Sequence, residues 1–186
     1  MILTKTKPQL KDFIIYAIFA AITAICSQIT LPLPFTPIMV SLGTFGIMIT
    51  SVLCSVKYKF GGFVSVCIYI GLGAVGAPVF QGFKGGLGVL MGPTGGYIVG
   101  YLLMAIVIGF MYSNKKFINM LAFLLANVVL YICGTIWFMV STGNDLLQSL
   151  TLCVFPFLPG DFAKIIVAYL TVNRVKPLIS NLQKIK

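Results

Sequence analysis

Six apolar runs, at roughly 13–31, 39–56, 61–77, 93–112, 118–142 and 151–173, occupy most of this chain and restrict its fold more than anything else in it. A hydrocarbon core about 30 Å thick demands about 20 apolar residues for each helical crossing, and most of the runs reach that length. Composition points the same way. Hydrophobic residues make up 59% of the chain and charged residues 9%, with a mean hydropathy of +1.07, against about 25% charged in an ordinary soluble domain. The runs predict an all-α integral membrane protein with six transmembrane helices. They form a single membrane domain over residues 1–186, with no soluble domain and no long linker.

The first run follows Lys5, Lys7 and Lys11 and could be read as a signal peptide. Five further apolar runs follow it, and Ser27-Gln28-Ile29-Thr30 is a poor cleavage site, so a retained span is the expectation. Cys26, Cys54, Cys67, Cys133 and Cys153 lie in or beside the predicted helices without disulfide or metal-ligand spacing, and read as buried small apolar residues. Histidine is absent, so no metal site is expected.

Charge sets the orientation. Lys5, Lys7 and Lys11, then Lys57 and Lys59, then Lys115 and Lys116, then Arg174, Lys176, Lys184 and Lys186 all fall on one side of a six-span chain. The positive-inside rule assigns that side, with both termini, to the cytoplasm. Eleven of the thirteen cationic residues are thereby explained, so the net charge of +10 is no nucleic-acid footprint. The remaining two are Lys84, in the outer loop between spans three and four, and Lys164, inside the last apolar run.

The outer connections are irregular. Residues 31–37 hold three prolines and almost no polar side chain, which predicts a rigid segment tucked against the outer face. Residues 76–86 mix glycine with Phe80, Gln81, Phe83 and Lys84, chemistry that suits a lid or pocket wall. Pro156 and Pro159 predict a short helix or bent entry over 145–157 and a final helix starting near Pro159. Irregular backbone at membrane depth is tolerated only around protein or a wet cavity, so these loops are expected to form an extracellular-side pocket.

Glycine clusters at Leu90-Met91-Gly92-Pro93-Thr94-Gly95-Gly96-Tyr97-Ile98-Val99-Gly100. A phosphate loop would follow a strand and, in one common form, end in Gly-Lys-Ser/Thr, and neither feature is present. A tight Gly-Pro turn with Thr94 as helix cap fits better, with Gly95, Gly96 and Gly100 admitting a close helix neighbour. Tyr97 then serves either as a cavity wall or as an interfacial anchor. The same two readings apply to Trp137, the only tryptophan.

Asp161 and Lys164 stand i,i+3 on one helical face, where each can neutralise the other. Ionisable residues at membrane depth are costly unless they are paired or meet a polar ligand. The pair is therefore a structural salt bridge or, as favoured here, the donor and acceptor of a polar ligand site. Phe80, Gln81 and Lys84 are further candidates by location. Ala17 and Ala21, like Ala20 and Ala24, are four apart on the first helix, a spacing that lets another helix approach, within the bundle or from a partner protein. Only three carboxylates are present, and no catalytic arrangement is visible.

Gly71-Leu72-Gly73-Ala74-Val75-Gly76-Ala77-Pro78-Val79-Phe80, then Gly85 through Tyr97 with its Gly-Pro-Thr-Gly-Gly-Tyr motif, then Pro159-Gly160-Asp161-Phe162-Ala163-Lys164 closely resemble the BioY family. Its members are the substrate-binding (S) components of energy-coupling-factor (ECF) biotin transporters. The resemblance covers nearly the whole chain. It implies high-affinity capture of biotin from outside a prokaryotic cytoplasmic membrane. It also implies partnership with a transmembrane coupling protein, the T component, and with two cytoplasmic ATPase subunits that use ATP. The chain itself is expected to be no enzyme and to carry no cofactor.

On that resemblance Asp161 accepts from the ureido N–H groups of biotin, Lys164 donates either to the ring carbonyl or to the valerate carboxylate, and Trp137, Phe80 and Tyr97 enclose its apolar part. Gln81 and Lys84 are added from position and chemistry. Ala17 and Ala21, with Ala20 and Ala24 beside them, match the surface the family offers its coupling protein. Two departures concern the loops. Met39, Val40 and Ser41 follow Pro37-Ile38 where relatives often carry Thr-x-Gln, and Gln81-Gly82 stands where some relatives supply asparagine. Selection of another small vitamin and a purely structural membrane subunit remain the competing functions.

Overall fold

The computed structural model describes residues 9–34, 36, 38–56, 58–113 and 115–184, with side chains through Val175 except at Lys116. Lys5, Lys7, Lys57 and Lys186 of the charge pattern, and Phe35 and Pro37 of the first outer connection, lie outside the described residues.

Each apolar run contains one main helix. In chain order these are α1 (Leu10–Gln28), α2 (Gly43–Cys54), α3 (Gly61–Ala74), α5 (Gly95–Met111), α6 (Lys116–Thr142) and α8 (Leu158–Lys184), and two short helices, α4 (Leu87–Met91) and α7 (Leu146–Cys153), lie in the connections. By length and composition α1 and the Phe117–Thr142 part of α6 can each cross a membrane, and α7 with Leu158–Val175 makes a third candidate span bent by 51°. The bend falls where Pro156 and Pro159 interrupt the chain. Helices α2, α3 and α5, with 12, 14 and 17 residues, are apolar but shorter. Glycine- and proline-rich ends take up the rest of their runs.

The fold is not purely helical. Strands β1 (Thr30–Leu31) and β2 (Val40–Ser41) pair antiparallel, Thr30 opposite Ser41 and Leu31 opposite Val40. The segment leaving α1 and the segment entering α2 are brought side by side there, and pairing satisfies backbone groups that the prolines between them cannot.

Helix α2 is central, packing on α1, α3, α5 and α8, and the most extensive contact joins α5 to α6. Their shared core includes Ile47, Met48, Val66, Met104, Ile108, Phe123, Leu130 and Ile165. Two glycines admit the close α5–α6 approach: a Cβ at Gly96 would collide with Trp137, and one at Gly134 with the Tyr97 ring.

Polarity is distributed inside out relative to a soluble protein. Phe117, Leu121, Leu124, Val128, Ile132, Ile136 and Val140 recur at helical spacing along the exposed face of α6, while Thr23, Ser27, Thr50, Ser65 and Asn127 are buried. The four hydroxyl residues among them tie helices together: Thr23 Oγ1 lies 2.9 Å from Thr50 Oγ1, the Tyr69 hydroxyl donates to Ser27 Oγ at 3.1 Å, and Ser65 Oγ donates to the Tyr16 carbonyl at 2.7 Å. With lipid outside, such bonds and close van der Waals packing replace the hydrophobic effect as glue. The arrangement is that of a multi-pass membrane protein.

Three expectations are corrected. Ala20 is 1% exposed and Ala24 packs against the core, so both face the bundle; only Ala17 and Ala21 lie on the open side of α1. A helix turns about 100° per residue, which puts Ala20 against the bundle and the next residue, Ala21, outside it. The cysteines are free, and only Cys54 and Cys153 are buried, Cys67 being exposed on an apolar helix face. Thr94 occupies the cap position of α5 without a side-chain cap bond, because its backbone is already helical at φ −88° and ψ −6°.

Candidate functional site

All three irregular connections meet around one cavity. The first supplies Ile38, Met39 and Ser41, the second Gln81 and Thr94, and the third Phe157, while helices complete the wall with Thr44, Tyr97, Ile98, Tyr101, Leu130, Tyr131, Asp161 and Lys164. Counted with its open mouth, the cavity encloses about 480 Å³, within the range typical of small-molecule pockets.

Local sequence explains how these groups arrive. Gly95 N donates to the Gly92 carbonyl at 3.0 Å, closing a β-turn with Pro93 at its second position and Thr94 at its third, where φ −88° and ψ −6° match a type I turn leading into the helix. The turn reverses the chain from α4 into α5, whose first turns place Tyr97, Ile98 and Tyr101 on the cavity. The glycine-rich segment is thus a bend that builds a pocket wall. Tyr97 is fixed from both ends, its ring against Gly134 and its hydroxyl donating to the Cys153 carbonyl at 2.7 Å.

Asp161 sits in the first turn of α8, where the helix dipole favours a carboxylate. Lys164 Nζ donates to Asp161 Oδ1 at 2.7 Å, and the Tyr131 hydroxyl donates to Asp161 Oδ2 at 2.5 Å. The side chains of Lys164 and Asp161 are 9% and 6% exposed. A carboxylate has about four acceptor positions and an ammonium three donors, so each retains capacity for a ligand after meeting the other. Thr44 Oγ1, also on the cavity, is buried and makes no hydrogen bond among the described residues.

Chemically the site offers a neutral, strongly polar end and an apolar body. Among the described residues its only lining cation, Lys164, is already balanced by Asp161, while Ile38, Met39, Ile98, Leu130 and Phe157 supply apolar wall. A compact polar head with an aliphatic or ring-based remainder suits it.

Of the candidates from sequence, Asp161, Lys164, Tyr97 and Gln81 line the cavity and three do not. Trp137 turns its indole to the α4–α5 turn, donating Nε1–H to the Gly92 carbonyl at 2.9 Å, because the small residues at 95 and 96 open space there. Phe80 is 1% exposed and stacks edge-on against Tyr69 at 5.6 Å, over Gly73. Lys84 is exposed, in an isolated bridge with Phe80. The residues that sequence reasoning missed are Tyr131, Tyr101 and Thr44. Tyr131 carried a usable signal: a phenol in the middle of a long apolar helix, one turn from Asn127, is an unusual place for a polar group.

The sequence model of the BioY family matches residues 4–181. The protein named "Biotin transporter BioY" of Thermotoga maritima is 34% identical, the match covering 91% of this chain and 98% of that protein. The "Probable biotin transporter BioY" of Pyrococcus horikoshii is 31% identical over 89% of this chain and 96% of its own. The fold is similar to a crystal structure described as the S-component for biotin from an ECF-type ABC transporter, with a TM-score of 0.81 and 28% identity, covering 90% of this chain and 92% of that one.

Proposed function

The chain belongs to the BioY family, and from that premise we propose that it binds biotin in this cavity and serves as the substrate-specific component for biotin uptake by an ECF transporter. The observation that carries the reading is the buried Asp161–Lys164 pair, held by Tyr131 and open to the cavity.

Biotin fits the chemistry. Its ureido ring presents two N–H donors and a carbonyl acceptor, matching the spare acceptor positions of Asp161 and the spare donors of Lys164. The thiophane ring and alkyl chain meet Tyr97, Ile98, Leu130 and Phe157. With Lys164 committed to Asp161, no second lining cation among the described residues competes for the valerate carboxylate, which is oriented toward the mouth. Gln81 and the Thr44 hydroxyl are further polar contacts. The role is binding and translocation, not catalysis.

The topology is six spans, the shorter helices α2, α3 and α5 crossing together with their irregular ends. The cavity faces outward. The opposite end, where Lys59 and Lys115 lie in the α2–α3 and α5–α6 connections, faces the cytoplasm with both termini, in the inner membrane of a prokaryote. Ala17 and Ala21, exposed on α1, form the contact for the T component, and two ATPase subunits supply ATP hydrolysis. The whole chain acts as one membrane domain.

Uptake of labelled biotin tests this in cells lacking their own biotin uptake, with this chain expressed alone and with T and ATPase components. Uptake that depends on the chain and rises with the partners supports the reading; equal uptake with and without the chain contradicts it.

Trp137 provides a check on the placement of the site. Trp137→Phe keeps a ring against Gly96 but deletes the bond to Gly92, which costs stability about 1 kcal/mol and leaves biotin affinity within about twofold. Thermal unfolding and equilibrium binding of the same preparation measure both; a tenfold affinity loss at unchanged stability would put the indole on the ligand.

A further inference from the structure

One side chain outside the cavity is bonded as though built to hold part of its wall. Gln28, the last residue of α1, donates Nε2–H to the carbonyls of Phe80 at 3.0 Å and Pro78 at 3.3 Å, and its Oε1 accepts from the Phe83 backbone N–H at 2.8 Å. All three bonds cross more than forty residues of sequence to reach one loop.

That loop is a tight three-residue turn. Phe80 and Lys84 exchange backbone bonds, Phe80 N to Lys84 O at 3.0 Å and Lys84 N to Phe80 O at 3.3 Å, leaving Gln81, Gly82 and Phe83 at the tip. Gly82 and Phe83 both have positive φ, +72° and +55°, and Phe83 is the only non-glycine residue in that region among those described. A bulky side chain adopts this conformation only where surrounding bonds over-determine it. Gln28 supplies them: it takes up the Phe83 N–H and fixes the carbonyl at the base of the turn. Phe80 itself is locked in the core. Of the three tip residues, Gln81 alone lines the cavity.

We propose that Gln28 is a positioning residue for ligand binding, which clamps the 78–83 turn to the end of α1 and thereby holds Gln81 in the cavity wall. It touches no ligand and acts through Gln81. The proposal rests on the reading of the cavity as a biotin site. Gln28 carries three bonds to this one turn, so its loss frees the tip to leave its left-handed conformation and Gln81 to leave the wall. The consequence is a faster off-rate, since the wall then opens without first breaking contact to the ligand.

The test is biotin binding and dissociation, in detergent, of wild type, Gln28→Met, Gln81→Ala and the double variant. Methionine keeps the length and apolar stem of glutamine and removes all three bonds. The expected result is a five- to tenfold weaker affinity for Gln28→Met, carried by the off-rate, and a double variant no weaker than Gln81→Ala alone. Unchanged dissociation in Gln28→Met, or losses that multiply in the double variant, would overturn the proposal. If Gln28→Met does not fold, Gln28→Glu replaces it: the acceptor for Phe83 is kept, the two donors are lost, and the same non-additivity with Gln81→Ala is required. Wild-type protein that binds no biotin would instead defeat the assignment of the ligand, so the two failures are separable.

Discussion

Asp161→Asn is expected to weaken biotin binding by at least about a hundredfold and to destabilise the folded protein by about 3–5 kcal/mol. Both effects follow from the same geometry. The amide still accepts one hydrogen bond, but it carries no charge, and Lys164, 8% exposed and 2.7 Å from Asp161 Oδ1, is left as a buried cation without a counter-charge. Breaking a buried pair by removing one partner is costly for that reason, whereas removing both charges is often tolerated. Asp161→Asn combined with Lys164→Met is therefore expected to regain most of the lost stability while binding stays absent. Unfolding in denaturant, read beside equilibrium binding, distinguishes the two contributions. Recovery of binding in the double variant would mean that the pair serves only the fold.

Gly134→Val is expected to have the next largest effect, although residue 134 has no side chain to offer a ligand. A Cβ at this position would fall on the Tyr97 ring. Tyr97 cannot step aside freely, because its hydroxyl is bonded to the Cys153 carbonyl, and any shift it makes is into the cavity that it lines. Overpacking of this kind costs about 1–3 kcal/mol where neighbours can shift and more where they are held. The variant is expected to lose at least about 3 kcal/mol of stability and most of its biotin affinity. Tyr97→Ala in the same chain makes room for the valine, so the double variant should be more stable than Gly134→Val alone. A double variant no more stable than the single would show that the collision lies elsewhere.

Much of the architecture was legible from residue order. Each apolar run contains one main helix, since the sum of transfer free energies over about 20 residues is a strong signal that no local detail reverses. Proline at 156 and 159 marked the break between α7 and α8, and the Gly92-Pro93 turn followed from the fixed φ of proline. Asp161 and Lys164 stood out because buried charge is rare and helical spacing alone puts them on one face.

What escaped depends on neighbours distant in sequence. Ala17 and Ala20 stand only about 60° apart round α1, yet one is exposed and the other buried, and the packing of α2 and α3 on α1 decides which is inside. Trp137 and Phe80 look like ligand walls by type, but glycines at 95, 96 and 73 open slots that take their rings instead. Tyr131 reaches Asp161 from a helix thirty residues earlier, and the pairing of Thr30 with Ser41 requires the return of a proline-rich connection. None of these is encoded in a local window.

The most direct test of the central claim is equilibrium binding of biotin to the purified, ligand-free wild-type protein, with unrelated vitamins as competitors and Asp161→Asn beside it. The account predicts tight, saturable binding of biotin that the other vitamins do not displace and that the variant loses. A folded wild-type preparation that binds no biotin, or binds it equally well with asparagine at 161, would contradict it.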